Sequence, residues 1–209
     1  MMEKGRLEAF SDGVIAIAIT LLVLEIKVPV PTDGGADLAE QLADQWPSYA
    51  AYVVSFLTIG IIWINHHATI RRIHTADHVL LLLNLLLLLA VGVLPWTTAL
   101  LAEYLREPHG DKLTAMIYGG SFLLVTVIFY LLQRHILFGR NRLLHDRIDD
   151  TARRRIDRRN RVGLAPYAVA TAAGALSAYL TLALCALIAV YYALPSTAYE
   201  VSTKDASEL

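Results

Sequence analysis

The run Val79-Leu80-Leu81-Leu82-Leu83-Asn84-Leu85-Leu86-Leu87-Leu88-Leu89-Ala90-Val91-Gly92-Val93-Leu94 carries one polar side chain, Asn84. Its apolar residues form a block and not a stripe, so no face is left to meet water. The whole chain is shifted the same way. Of its 209 residues, 56% are apolar and 18% charged, and the mean hydropathy is +0.50. Soluble domains run at about 45–50% apolar and about 25% charged. The block therefore sets the class, an all-α integral membrane protein.

A helix crosses about 30 Å of hydrocarbon with about 20 mostly apolar residues. Working outward from a span at 79–101, the sequence predicts others at 10–28, closed by Pro29 and Pro31, at 47–64, and at 113–132. Pro95 is expected to kink the third. The first is not expected to be a cleaved signal peptide, because Asp12 enters the run and no small-residue cleavage site with a polar start follows. The last apolar block, 162–195, has 34 residues, about 51 Å of helix at about 1.5 Å per residue. That is too long for one crossing, and two short helices at 162–175 and 178–194 fit better. The expectation is a single six-helix domain over 1–195, with five spans as the fallback and a polar, disordered tail at 196–209.

Charge orients these spans. Fifteen of the 18 Lys and Arg residues fall on one side: Lys4, Arg6, Arg71, Arg72, the ten arginines of 134–161, and Lys204. Only Lys27, Arg106 and Lys112 fall on the other. The positive-inside rule then puts both termini in the cytoplasm, which requires an even number of spans and agrees with six. A cell (inner) membrane location is expected. The arginine-rich segment 134–161 also carries Asp146, Asp149, Asp150 and Asp157, interleaved with Leu143, Leu144, Ile148 and Ile156. It reads either as a helix along the inner headgroups binding anionic lipid, or as a solvated topology determinant. On the other side, Leu38, Leu42 and Trp46 have amphipathic spacing and are expected to cap the outer surface.

The same inventory excludes several functions. A net charge of −1 gives no field for nucleic acid. One cysteine, Cys185, excludes an internal disulfide and any cysteine-built metal or redox pair. His66, His67, His74 and His78 match none of the usual metal-ligand spacings. No nucleophile triad, phosphate loop or nucleotide motif is present, so no enzyme activity and no cofactor are expected.

Ionisable groups inside membrane helices cost about 2.5–3.5 kcal/mol near a helix centre on insertion scales, so they mark function. Asp12 lies just inside the first run, with Arg6 and Ser11 nearby. The group reads either as a hydrogen-bonded network at the cytoplasmic end or as a plain helix N-cap. Trp63, Asn65 and His66 end the second span and enter the same layer. Glu25, near the outer end, reads as an interfacial carboxylate. The third and fourth spans look chemically silent, Asn84 included. Ile17, Leu21 and Leu24 are spaced i, i+4, i+7 and share a helix face. Ordinary packing explains such a stripe as well as a pore does.

The string Arg6-xxx-Phe10-Ser11-Asp12, continuing through Gly13 to Pro29 and joined by Trp63-xx-His66, resembles the signature of the transmembrane protein 175 family of potassium-permeable cation channels. The resemblance implies six-helix subunits assembled as homotetramers, with the first helix lining a central pore. It further implies hydrophobic constrictions at Ile17, Leu21 and Leu24, potassium preference aided by Thr20, and a structural polar network of Arg6, Ser11, Asp12, Trp63 and His66. Potassium is the implied permeant ion, with other monovalent cations weaker and membrane lipids around the protein. No Thr-Val-Gly-Tyr-Gly filter occurs, so no re-entrant filter loop is expected, and selectivity would rest on side-chain rings. Two other classes stay open. A secondary ion or solute transporter needs a polar site near the midplane, where the first helix offers only Thr20. A non-conducting lipid-binding scaffold would work through the arginine-rich segment.

Overall fold

The computed structural model describes residues 4–30, 37–107, 109–139, 143 and 149–193. The tail at 196–209 and positions 140–142 and 144–148 of the basic segment lie outside the described residues. Eight α-helices follow in order: α1 (Lys4–Leu21), extended by a 3-10 turn over Leu22–Glu25, α2 (Leu38–Asp44), α3 (Trp46–Arg71), α4 (His78–Tyr104), α5 (Asp111–Phe138), α6 (Asp150–Val162), α7 (Leu164–Ala173) and α8 (Ala178–Ala193).

Their ends have local causes. The Asp37 side chain accepts from the Leu38 amide and opens α2. Pro47 sits in the first turn of α3, where its missing N–H costs nothing. Asp77 Oδ1 accepts from the Leu80 amide at 2.8 Å and caps α4. Gly110, at φ +98°, makes the left-handed turn into α5, against the Tyr104 ring. Helix α4 runs unbroken across Pro95.

Four segments are long and apolar enough to cross a membrane: Lys4–Glu25, Trp46–Arg71, His78–Tyr104 and Asp111–Phe138. Each runs past the apolar block inside it, α1 at its start and α3, α4 and α5 at their ends, because backbone hydrogen bonding continues where hydropathy stops. The final block is divided at 174–177 into α7 with 10 residues and α8 with 16. At about 1.5 Å per residue these are about 15 and 24 Å long, short of about 30 Å of hydrocarbon.

Helices α4 and α5 form the most extensive pair, with α7 and α8 on the far side of α5. Helix α3 packs between α4 and α8, and α1 lies on α3 and α4. Apolar burial alone does not hold helices together in lipid, so close approach and interhelical hydrogen bonds matter more. Both are present. Ser55 Oγ on α3 lies 2.9 Å from Thr98 Oγ1 on α4 and 3.0 Å from the Tyr118 hydroxyl on α5. Glycines bring α5 and α7 together: a Cβ on Gly119 would stand 3.0 Å from Thr171 Cα, and one on Gly174 would stand 2.8 Å from the Met116 amide nitrogen. At the α2 end the helices are joined by the Arg106–Asp44 ion pair at 3.2 Å and by Trp46 stacked on Tyr179. Helix α2 buries none of its residues, and Leu38 and Leu42 are exposed.

The Gly174→Ala variant is therefore expected to lose about 1–3 kcal/mol through overpacking, read as a lower thermal unfolding midpoint in detergent. Gly120→Ala, whose Cβ would meet only Thr171 Cγ2 at 3.7 Å, is expected to leave the midpoint unchanged.

Candidate pore-lining helix and its polar anchor

Helix α1 starts at Lys4, so Ser11 and Asp12 lie two turns inside it and neither is an N-cap. The Ser11 hydroxyl instead donates back to the Leu7 carbonyl at 2.9 Å. The capping alternative fails because the helix begins in the polar stretch ahead of the apolar run.

A buried chain of hydrogen bonds starts from Ser11. The Asn84 amide nitrogen on α4 donates to Ser11 Oγ at 3.0 Å, which leaves the Asn84 oxygen to accept from His66 Nε2 on α3 at 2.7 Å. This order places the proton of His66 on Nε2. Ser11, Asn84 and His66 are all within 1% of full burial. One amide thus ties α1, α4 and α3 together.

A second cluster lies nearer the surface. Trp63 Nε1 donates to Asp12 Oδ1 at 2.9 Å. His67 Nδ1 stands 3.3 Å from Glu8 Oε1 and 3.7 Å from Asp12 Oδ2, under the Trp63 ring. Lys4 Nζ donates to the Arg71 carbonyl at 2.7 Å, closing the free end of α3. The five residues expected to form one network are therefore split. Ser11 and His66 meet through Asn84, Asp12 and Trp63 meet directly, and Arg6 is exposed with no hydrogen bond or ion pair to another described residue. Asn65 stays outside, bonded to its own Ile61 carbonyl. No group of three or more His, Cys, Asp and Glu side chains suited to a metal ion lies among the described residues.

Beyond Asp12 the helix has two unlike faces. Leu7, Ser11, Ile15, Ala18 and Leu22 are buried against α3 and α4. The other face carries Phe10, Gly13, Ile17, Thr20, Leu21 and Leu24, all exposed in the subunit, with Ile17 at 60%, Leu21 at 42% and Leu24 at 72%. The 3-10 turn adjusts this face. Residues three apart eclipse in a 3-10 helix, so Leu24 stands over Leu21 instead of drifting around the axis. The Thr20 hydroxyl donates to the Ile17 carbonyl at 2.9 Å, which commits its proton inward and leaves its oxygen lone pairs on the exposed face. Glu25 is half-buried, and past it Lys27 pairs with Glu103 of α4 at 2.6 Å.

A family model described as the endosomal/lysosomal potassium channel TMEM175 matches residues 6–95, which hold α1, α3 and the Asn84 half of α4. A potassium channel of Streptomyces collinus is 47% identical over 192 residues, covering 92% of this chain and 92% of that protein. The chain belongs to the TMEM175 family. A potassium channel of Chamaesiphon minutus is 43% identical over 200 residues, 94% of this chain and 96% of that protein. The crystal structure of a lysosomal potassium-selective channel TMEM175 homolog from that organism shares the fold with a TM-score of 0.82. It is 40% identical, over 93% of this chain and 98% of that one.

Within this TMEM175 member, the residue that sequence reasoning passed over is Asn84. Its signal was present, since a lone amide in a leucine run needs partners once buried in an apolar helix. Glu8 and His67 were missed for a different reason. Their contacts cross 59 positions of sequence, and neither residue interrupts an apolar block. Asn84→Ala strands the His66 N–H and is expected to cost about 1–3 kcal/mol, seen as a lower unfolding midpoint in detergent. Asn65→Ala is expected to leave the midpoint unchanged.

Proposed function

We propose that four copies of this chain form a passive, potassium-permeable channel whose pore is lined by the exposed face of α1. The observation that carries this reading is the two-faced α1: one face is pinned to α3 and α4 by packing and the Asn84 bonds, while the other carries Ile17, Leu21 and Leu24 uncovered. A central fourfold axis covers that face and turns the three positions into successive apolar rings. Family membership and the potassium channels it resembles supply the permeant ion.

In this pore the rings of Ile17, Leu21 and Leu24 are the constrictions, closing by dewetting and opening as they widen. The outward lone pairs of Thr20 supply oxygen between them and favour potassium. Asp12 with Trp63, and Ser11 with His66, hold the cytoplasmic end of the helix in register, and Arg6 faces the same end. Lys27 and Glu103 hold the outer end. All six apolar helices of a subunit cross or enter the membrane, α7 and α8 where the bilayer is locally thinned. Both termini are cytoplasmic in a bacterial-type inner membrane, and lipids surround the assembly.

Potassium-gradient-driven flux into liposomes, compared with sodium under a matched gradient, tests the reading. Fast potassium flux and slower sodium flux are expected. Saturating, transporter-like turnover, or no flux from folded tetramers, would sink it. Ile17→Asn is expected to wet the narrowest ring, raising flux at least severalfold while narrowing the potassium-to-sodium ratio. Unchanged flux removes Ile17 from the constriction. Asp12→Ala is expected to reduce the tetramer fraction with ion preference intact; a full tetramer with altered preference overturns its structural assignment.

A further inference from the structure

Helix α6 is the most highly charged element described, and nothing in ion conduction accounts for it. Its sequence, DTARRRIDRRNRV, sorts by face. Ile156, Asp157 and Asn160 turn toward the protein, and Asp157 Oδ1 accepts from the Tyr130 hydroxyl on α5 at 3.1 Å. Arg154, Arg155, Arg158, Arg159 and Arg161 are exposed on the opposite arc, with no ion pair to a described carboxylate. Helix α6 carries six arginines against two aspartates, Asp150 at its start and Asp157 bonded to Tyr130, so it stays strongly positive.

Two observations fix where the arc sits. The first is depth. Helix α5 runs antiparallel to α6 and α7, with Gly174 against Met116, Gly119 against Thr171, the Phe122 ring against Tyr167, and Tyr130 against Asp157. Tyr130 lies two residues before the apolar block of α5 ends at Leu132, where Gln133, Arg134 and His135 follow. Arg154 and Arg155, on the Leu132 side of Asp157, therefore stand where the neighbouring helix passes from apolar to polar, and Arg158 and Arg159 lie within about one turn of that level. The Tyr192 hydroxyl, 3.3 Å from a Cβ position on Gly163, sets an interfacial aromatic about one turn further along.

The second is direction. Gly163 keeps right-handed helical angles and its amide donates to the Arg159 carbonyl at 3.0 Å, so the helical path passes from α6 into α7. Exposed residues stay in line across that join: Arg155, Arg158, Arg159, Val162, Pro166 and Val169 fall at i, i+3, i+4, i+7, i+11 and i+14. The arginines thus occupy the same stripe as the lipid-facing residues of α7. Arg158 and Arg155 lie about 6 and 10 Å below Val162. The headgroup layer is about 5–8 Å deep per leaflet.

We propose that the exposed arginine face of α6 is a binding site for the phosphate groups of anionic phospholipid in the cytoplasmic leaflet, with the acyl chains against the Val162–Pro166–Val169 stripe of α7. Guanidinium groups bind phosphate oxygens in pairs, and the apolar stripe just above them suits a lipid rather than a free polyanion. The site depends on α7 being in the membrane and does not depend on conduction.

Binding of acyl-labelled phosphatidylglycerol and phosphatidylcholine to the purified full-length protein in detergent micelles tests this. At low salt, a preference for phosphatidylglycerol of roughly tenfold or more is expected, falling at high salt. The triple variant Arg155→Gln/Arg158→Gln/Arg159→Gln is expected to lose it, the corresponding lysine triple to retain most of it, and Lys112→Gln at the opposite end to leave it unchanged. If the glutamine triple does not fold, Arg158→Gln and Arg159→Gln singly are expected to lower the preference severalfold. Equal binding of the two lipids, or an undiminished preference in the folded glutamine variants, overturns the proposal. So does duplex DNA binding to the same arginines as tightly as phosphatidylglycerol. Flux is not measured, so a failure here leaves the channel reading standing.

Discussion

A membrane helix cannot be pressed onto its neighbours by the hydrophobic effect, because lipid tails are as apolar as leucine. Helix α1 is the acute case, since one whole face of it is uncovered in the subunit. What fastens its buried face is one amide. Asn84 donates to α1 and accepts from α3, from the middle of a leucine run that offers no competing partner. The alternative state, with α1 detached, leaves the Asn84 N–H buried without its Ser11 acceptor, which is why the arrangement is specific as well as stable. The Ser55, Thr98 and Tyr118 cluster does the same for α3, α4 and α5 further along.

The polar ties of α1 are therefore confined to its ends. Ser11 and Asp12 hold the first, Lys27 and Glu103 the second, and between them only Thr20 and, close to the second end, Glu25 are polar. An apolar middle held at both ends keeps its axial position but retains freedom to rotate or spread, because dispersion contacts re-form with little penalty after small shifts. In the proposed pore, that places movement at the rings and rigidity at the mouths. The change from α to 3-10 geometry at Leu22 falls at this boundary and aligns Leu24 with Leu21.

The sequence carried the architecture in its apolar blocks, because the hydrocarbon thickness imposes a length that any reader can count. Helix ends were less legible. Hydropathy marks where the lipid stops, while α1, α3 and α5 continue as helices through Glu8, His67 and Arg134. For the anchor, Ser11, Asp12, Trp63 and His66 were legible from their types and from the Phe-Ser-Asp string. Asn84 was visible and undervalued, since its role depends on which face of α4 meets α1, a fact no local pattern holds. Arg6 shows the converse: it belongs to the signature, yet within the subunit it has no partner among the described residues.

The chemistry of the exposed face also limits what a pore built from it can do. In the proposed tetramer, a ring of four Thr20 oxygens would replace only part of a cation's water shell, and the isoleucine and leucine rings would replace none. An ion in transit must then keep some of its water, so discrimination comes from how much each ion loses by shedding the remainder. Sodium holds its water more tightly than potassium, so the same partial dehydration penalises sodium more. Selectivity of this origin favours potassium without the multiple carbonyl sites of a dedicated filter. It also varies with ring diameter, because a wider ring strips less water. In such a pore, gating and selectivity are set by the same side chains, and any change that opens the rings further also weakens the preference.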